Sequence, residues 1–112
     1  MERSVQRAQA RLRASLGETL TLAEVAAEIG TNKFVLLRAF RRVTGTTPYR
    51  YRTLVRIARA KELLARGASP VEVGALLGFA DQAHLSRSFK RTYGVTPRAY
   101  QTRTKSSAFV AS

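Results

Sequence analysis

Residues 38–48, RAFRRVTGTTP, return in altered form at residues 87–97, RSFKRTYGVTP. The offset between the two copies is 49 residues (87 − 38), and Tyr51 and Tyr100 keep the same offset. A repeat of this period is typical of a duplicated supersecondary unit. The sequence therefore predicts that one structural unit occurs twice in this chain.

The first copy carries the signals of two short helices joined by a tight turn. Thr21 and Glu24 form a capping box, in which each side chain can satisfy a free amide of the first helical turn. Gly30 is placed to end that helix, and Asn32 to cap the next one, which ends at Gly45. The predicted apolar stripe of this second helix consists of Leu36, Phe40 and Val43.

The second copy repeats these signals with small changes. Ser69 and Glu72 form its capping box, Gly78 ends its first helix, Asp81 can cap its second helix, and Gly94 ends that helix. The predicted buried face of its first helix consists of Val73, Leu76 and Leu77. The inward positions of the second helix are Leu85 and Phe89, the counterparts of Leu36 and Phe40.

The remaining segments frame these two copies. The predicted division is residues 1–47 for an N-terminal helix and the first unit, 48–67 for a connecting helix, 68–101 for the second unit, and 102–112 for a polar tail without regular structure. The candidate buried positions of the connecting helix are Tyr51, Leu54, Val55, Ala58, Leu63 and Leu64.

Two short helices with a glycine-containing turn match the helix-turn-helix arrangement, whose second helix enters the major groove of DNA. A small bundle of helical hairpins would carry similar turns, but arginines on both second helices favour the DNA-binding arrangement. The predicted fold class is all-α and homeodomain-like, with two helix-turn-helix units joined by a long connecting helix and about seven helices in total.

The charge of the chain indicates a polyanionic partner. Twenty Lys and Arg residues stand against seven Asp and Glu residues, which gives a formal net charge of +13. Such an excess favours nucleic acid first and an anionic membrane surface second. A basic protein without a polyanionic partner is the third alternative.

Several other classes of function are disfavoured. The chain has no cysteine for a disulfide or a thiolate zinc site, and no apolar run long enough for a signal core or a membrane span, so we expect a cytoplasmic protein. Asp81, His84 and Ser86 are predicted on one short helix, where residues two apart such as His84 and Ser86 do not face each other, so they do not form a credible catalytic triad. We find no Gly-rich phosphate loop and no metal-ligand cluster, and we expect no enzymatic activity, cofactor or metal.

The chain resembles the DNA-binding domain of AraC/XylS-type bacterial transcription regulators, most clearly in the second copy. The resemblance rests on GFADQAHLSRSFKR (residues 78–91) and GVTPRAY (residues 94–100), supported by RIARA (residues 56–60) and Leu63-Leu64. It covers about residues 4–101, and this combination is far more specific than a lone short motif. The sequence departs from the family pattern at Gly74, where alanine is usual, at Ala80, where serine is common, and in the apolar run at residues 34–37.

The resemblance implies that both second helices read base edges in successive major-groove segments about one helical turn apart, ~34 Å. By this analogy Arg38 and Arg87 are the main base readers, because arginine can grip guanine with two hydrogen bonds. The other candidate base-reading residues are Phe34, Leu37, Gln82, Ala83, His84 and Ser86. The candidate phosphate-binding residues are Lys33, Arg41, Arg42, Arg50, Arg52, Lys90 and Arg91.

The sequence thus predicts a sequence-specific regulator that binds double-stranded DNA, with activation as its mode by family analogy. RNA polymerase is a further candidate partner, and the family often joins this domain to a sensor or dimerisation domain, which nothing in this chain resembles. Two alternatives stay open: a nonspecific architectural protein of nucleic acid, and a membrane-active basic protein, which the repeated turns and caps disfavour. The target promoter, any effector and the oligomeric state are not readable from these residues, nor is whether the chain is a stand-alone regulator or a fragment.

Overall fold

The computed structural model describes the backbone of residues 1–111 and the side chains of residues 1–105. Over the described backbone the chain is all-α and forms no strand, as predicted. Its helices are α1 (Glu2–Arg13), α2 (Leu22–Ile29), α3 (Lys33–Thr44), α4 (Pro48–Ala65), α5 (Pro70–Leu76), α6 (Gln82–Tyr93) and α7 (Pro97–Ala111).

The caps that the sequence predicted are formed at the start of each helix-turn-helix element. The side chains of Thr21, Asn32, Ser69 and Asp81 each accept a hydrogen bond from a backbone amide two or three residues further on, at 2.7–3.1 Å. Gly30 ends α2. Its φ is +90°, in the left-handed region that residues with a Cβ rarely adopt. Local sequence therefore sets the boundaries of these helices.

The chain divides into two compact units, Met1–Val55 and Arg56–Ser112, so that α4 contributes residues to both. In the first unit, α1, α2 and α3 pack around one apolar core. Its buried residues are Val5, Ala8, Leu12, Val25, Ala26, Leu36, Ala39 and Phe40.

The second unit is built around α5 and α6, with the later part of α4 and the start of α7. Its buried apolar residues are Ile57, Ala60, Leu64, Val73, Leu77, Phe79, Leu85 and Phe89. Leu36 and Phe40 of α3 and their counterparts Leu85 and Phe89 of α6 are all fully buried, as the repeat predicted.

The duplication also includes a helix that the alignment of the two copies at an offset of 49 residues did not reveal. The buried residues of α1 and of the later part of α4 share one spacing and differ by 52 positions: Val5 and Ile57, Ala8 and Ala60, Leu12 and Leu64. The offset differs from 49 mainly because the next connection is residues 14–21 in the first unit and only residues 66–69 in the second. Each unit is therefore a repeat of three helices.

Four predicted core positions are wrong, and one of them is Leu76 of α5, which is 62% exposed. Val43 is 44% exposed because α3 turns it away from the core at its last turn, and Leu54 is 40% exposed. Ala58 is also exposed, because the buried face of α4 in the second unit runs through Ile57 and Ala60 instead.

The prediction of a tail without regular structure from residue 102 is also wrong over the described residues, and Ser112 lies outside them. Helix α7 continues to Ala111. Thr96 caps it by accepting a hydrogen bond from the Ala99 amide at 3.1 Å, and no Gly or Pro follows Pro97 to end it.

Candidate nucleic-acid interface

Helix α3 separates an inward apolar face from an outward basic face. Leu36 and Phe40 are buried, whereas Lys33, Arg38 and Arg41 on the other side are exposed. The exposed face also includes Arg42 and the ring of Phe34, which is 65% exposed, while Leu37 is half-buried. The Lys33 Nζ lies 5.3 Å from the centre of the Phe34 ring, so a cation and an apolar surface are presented side by side.

Helix α6 has the same division in the second unit. Its exposed candidates are Gln82, Ala83, Arg87, Lys90 and Arg91, and its half-buried ones are His84 and Ser86. Apart from Arg50 and Arg52, which lie on α4, the predicted base-reading and phosphate-binding residues of each unit therefore lie on the second helix of its helix-turn-helix, the recognition helix α3 or α6.

His84 has structural contacts that the sequence did not reveal. Its backbone amide donates to the Asp81 carboxylate at 2.7 Å, and its ring packs edge-on against Phe79 at 5.2 Å between ring centres. His84 therefore helps to close the turn between α5 and α6 in addition to being a candidate base contact.

The acidic residues of the chain all lie outside the two recognition helices. Residues 33–44 contain four Lys and Arg residues and residues 82–93 contain three, with no Asp or Glu in either segment. The ion pairs between described side chains include those of Arg11 with Glu18 and Glu28, and of Arg59 with Glu62. Arg38 and Arg87 take no part in those pairs, so their guanidinium groups are not neutralised by a neighbouring carboxylate.

Arg11, unlike Arg38 and Arg87, forms ion pairs that join parts of the fold. Its side chain donates hydrogen bonds to Glu18 and Glu28, each at 2.9 Å, and these bonds raise the pKa of Arg11 above its usual value. The pair of carboxylates ties α1 to the connection after it and to α2.

The structure contradicts the assignment of Arg52 to phosphate binding. Arg52 is only 7% exposed, and its guanidinium donates hydrogen bonds to the backbone carbonyl oxygens of Leu12, Ser15 and Glu18 at 2.9–3.3 Å. Burial lowers the pKa of Arg52 below its usual value. Arg50 lies two residues earlier on α4 and is exposed, so it keeps its predicted role.

Two exposed residues at equivalent helix starts were missed. Tyr49, which is 72% exposed, is in the first turn of α4, and Arg98 is at the same place in α7, 49 residues later. Tyrosine hydroxyls and arginines are both common donors to phosphate. The repeat was the signal that could have identified them, since both follow a Thr-Pro pair.

Within the described residues, no group of three or more His, Asp and Glu side chains is arranged to hold a metal ion. None of the helices in that part of the chain combines the length and apolarity required to cross a membrane.

Comparisons with known proteins place this geometry in a family. A family model described as a helix-turn-helix domain matches residues 25–103. The uncharacterized HTH-type transcriptional regulator YidL of Escherichia coli (strain K12) is 38% identical over 98 residues, which are 87% of this chain and 33% of that protein. The chain spans about a quarter to a third of the length of the curated relatives it matches first.

Two solved structures have the same fold. An AraC-type transcriptional regulator from Chromobacterium violaceum superimposes with a TM-score of 0.86 at 27% identity, over 92% of this chain and 93% of that one. The DNA-binding domain of AdpA, a global transcriptional factor solved in complex with a target DNA, gives a TM-score of 0.84 at 26% identity, over 91% and 93%. Together with the paired basic recognition helices, these matches show that the chain belongs to the AraC/XylS-type family of transcription regulators and carries its helix-turn-helix DNA-binding domain.

Proposed function

We propose that this domain binds double-stranded DNA in a sequence-specific manner, with α3 and α6 each reading its own block of base pairs in neighbouring major-groove segments. The observation that carries the proposal is the pair Arg38 and Arg87. They occupy equivalent positions of the repeat, are exposed, and lie on helices without a single acidic residue.

The exposed side chains suggest how bases are read. Arg38 and Arg87 are assigned to guanine, where two hydrogen bonds to O6 and N7 discriminate against other bases by ~1–3 kcal/mol. Gln82 is assigned to adenine. Apolar contacts to thymine methyl groups are assigned to Phe34, Leu37 and Ala83, and single polar contacts to His84 and Ser86.

Phosphate contacts would then fix the position of each helix without reading sequence. We assign them to Lys33, Arg41, Arg42, Arg50, Lys90 and Arg91, all of which are exposed. Each contact displaces a counterion, so affinity should fall steeply with salt concentration.

The regulatory context is proposed by family analogy. We propose activation as the direction of regulation, RNA polymerase as a further partner, and the bacterial cytoplasm, where the nucleoid lies, as the location. Because the matched relatives are three to four times as long as the matched segment, a sensor or dimerisation domain can act together with this one in a longer protein.

The alternative is an architectural protein that binds nucleic acid without sequence preference. The observation that favours it is the large net charge of +13, which supports nonspecific binding whether or not base reading occurs. Both proposals predict binding that weakens with salt, so salt dependence alone does not separate them.

Selection from a pool of random duplexes at about 150 mM salt, a concentration that weakens nonspecific binding, separates the two. We expect two enriched blocks, with Arg38→Ala relaxing one and Arg87→Ala relaxing the other. Enrichment of only the block that depends on Arg87 would limit the role of α3 to the DNA backbone. Salt-sensitive binding with no enriched sequence would overturn the specific-regulator proposal in favour of the architectural one.

A further inference from the structure

The two units share a hydrogen-bonding device at the residue that follows their equivalent tyrosines. Arg52 follows Tyr51, and Gln101 follows Tyr100, at the repeat offset of 49 (101 − 52). Both side chains donate hydrogen bonds to backbone carbonyl oxygens at the end of the first helix of their own unit. Because one is an arginine and the other a glutamine, the sequence alone does not show that the two positions are equivalent.

The acceptors are equivalent as well. Arg52 Nε donates to the Leu12 carbonyl at 3.3 Å, and Gln101 Nε2 donates to the Leu64 carbonyl at 2.9 Å. Leu12 and Leu64 are counterparts at the offset of 52, and each is the next-to-last residue of its helix segment. Helix ends leave carbonyl oxygens without partners inside the helix. Arg52 donates to one of them at Leu12, and Gln101 adds a donor to the Leu64 carbonyl, which also accepts from the Gly67 amide at 3.1 Å.

The length of the following connection explains why one unit uses arginine and the other glutamine. In the first unit the connection spans residues 14–21, and Arg52 Nη2 reaches into it to the carbonyls of Ser15 at 3.1 Å and Glu18 at 2.9 Å. In the second unit it spans only residues 66–69, and Gln101 reaches Ala68 at 2.7 Å. A longer loop thus goes with a longer side chain that has more donors.

The conformation of Ser15 indicates that this contact holds the loop in place. Ser15 has a φ of +53°, which is unusual for a residue with a Cβ, and its carbonyl accepts from both the Glu18 amide and Arg52. Such a backbone conformation persists only where surrounding contacts maintain it. Arg52 provides one of these contacts, from a distant part of the chain.

Each contact is coupled to the recognition helix through the preceding tyrosine. The Tyr51 ring packs against Phe40 of α3 at 5.5 Å between ring centres, and the Tyr100 ring packs against Phe89 of α6 at 5.7 Å. Phe40 and Phe89 are the fully buried anchors of the two recognition helices. A shift of the segment carrying Arg52 or Gln101 would therefore move the surface against which the recognition helix rests.

We propose that Arg52 and Gln101 are equivalent positioning residues that set the orientation of α3 and α6 for base reading, by fastening the helix after each recognition helix to the first helix of the same unit. Neither residue touches DNA in this proposal. It rests on the proposed sequence-specific function, and it predicts that each residue affects base discrimination in its own block only.

The test measures discrimination in each block separately. Binding is measured to the selected duplex, to a duplex with only the first block scrambled, and to one with only the second block scrambled. For Arg52→Met we expect discrimination in the block read by α3 to fall about tenfold, the value of one two-bond base contact, with the other block unchanged. For Gln101→Met we expect the reverse, and for Arg52→Gln, which keeps a donor for Leu12, an intermediate loss.

A control separates positioning from charge. Arg50→Met also removes one positive charge, but from an exposed side chain, so it should weaken binding to all duplexes and lower the salt dependence by about one counterion. Arg52→Met should leave the salt dependence unchanged. General destabilisation would lower binding to every duplex equally and leave both discrimination ratios intact, and that result would overturn the proposal.

A second measurement does not depend on DNA specificity. We expect Arg52→Met to shift the backbone amide NMR resonances of α3 while those of α6 stay in place, and Gln101→Met to do the opposite. If the unaltered domain shows no discrimination between duplexes, the proposed function fails, and the NMR result still decides the positioning role. Unchanged α3 resonances in a folded Arg52→Met domain would overturn it.

Discussion

Gly74→Ala should stabilise the domain, although glycine is buried where α5 packs on α6. A Cβ built at Gly74 would lie 3.8 Å from Leu85 Cδ2 and 4.0 Å from its Cβ, which is ordinary van der Waals contact. Alanine is favoured over glycine inside a helix by up to about 1 kcal/mol. Gly74 is near the end of a seven-residue helix, so we expect a net gain of about 0.4–1 kcal/mol in the free energy of unfolding, the range for compatible replacements.

Gly30→Ala is the matched replacement with the opposite sign. A Cβ at Gly30 would meet nothing within 4 Å, so the cost comes from the backbone alone, where φ is +90°. An alanine in the left-handed region loses about 1–2 kcal/mol. Gly74→Ala thus adds a methyl group against Leu85 inside a helix, where the backbone conformation suits alanine. Gly30→Ala adds a methyl group in open space, where the backbone conformation does not suit alanine.

Urea unfolding followed by circular dichroism measures both effects, and an unchanged dependence on urea would show that the unfolded states are comparable. The expected gain for Gly74→Ala corresponds to a rise of a few degrees in melting temperature, at about 4 °C or more per kcal/mol for a domain of this size. A loss of stability in Gly74→Ala would refute the reasoning, because it would mean that α5 and α6 approach too closely for a methyl group. DNA affinity should be retained, since Leu85 keeps its place behind the recognition helix.

Three further replacements test other parts of the fold and the interface. Asp81→Ala should cost about 1 kcal/mol of stability by removing the cap of α6, and Asp81→Asn should keep most of it, as urea unfolding would show. Arg41→Ala should lower the salt dependence of DNA binding by about one counterion, whereas Arg11→Ala, whose guanidinium already pairs with two glutamates, should leave it unchanged in a salt titration. Phe40→Ala should destabilise the first unit by about 3–5 kcal/mol, and a loss below 1 kcal/mol by calorimetry would contradict its place in the core.

The sequence was sufficient where the determining interaction is local. Caps such as Asn32 and Asp81, and the inward positions Leu36 and Phe40, follow from residues within one or two turns. These interactions span few residues, so their pattern survives in any single sequence. They also fix the outward face of each recognition helix, and with it the candidate base-reading residues.

Arg52 shows why the rest could not be predicted. Its carbonyl acceptors lie 34–40 residues away in sequence, and no local pattern reports them. One warning was nevertheless present: Arg50 and Arg52 are two residues apart on a helix, so they point to nearly opposite sides, about 200° apart. Both could not face the same DNA backbone.

The core positions of α4 were misjudged for a related reason. This helix contributes to two units, Tyr51 and Arg52 to the first and Ile57 onwards to the second. Its buried residues therefore do not form one continuous stripe, and a search for a single stripe placed Leu54 and Ala58 inside. The length of α7 was underestimated for a different reason: residues 102–111 carry no apolar period, but they also contain no Gly or Pro that would end the helix capped by Thr96.

The repeat permits a direct test of where sequence preference is encoded. Aligned at the offset of 49, α3 and α6 already share Arg38 with Arg87 and Arg42 with Arg91, and their buried anchors are the same residue types. At the candidate base-reading positions the two helices differ four times, where Lys33, Phe34, Val35 and Leu37 correspond to Gln82, Ala83, His84 and Ser86.

The triple replacement Lys33→Gln, Phe34→Ala and Leu37→Ser gives α3 the side chains of α6 at three of these four positions and leaves half-buried Val35 and the buried side of the helix intact. If these side chains read bases, selection from random duplexes should change the block of the first unit towards the block of α6. Of the three, only Leu37 is half-buried, so a moderate loss of stability is expected and should be checked by urea unfolding. An unchanged first block in the folded triple variant would show that Phe34 and Leu37 do not read bases, and that preference in this unit comes from Arg38 or from the shape of the DNA.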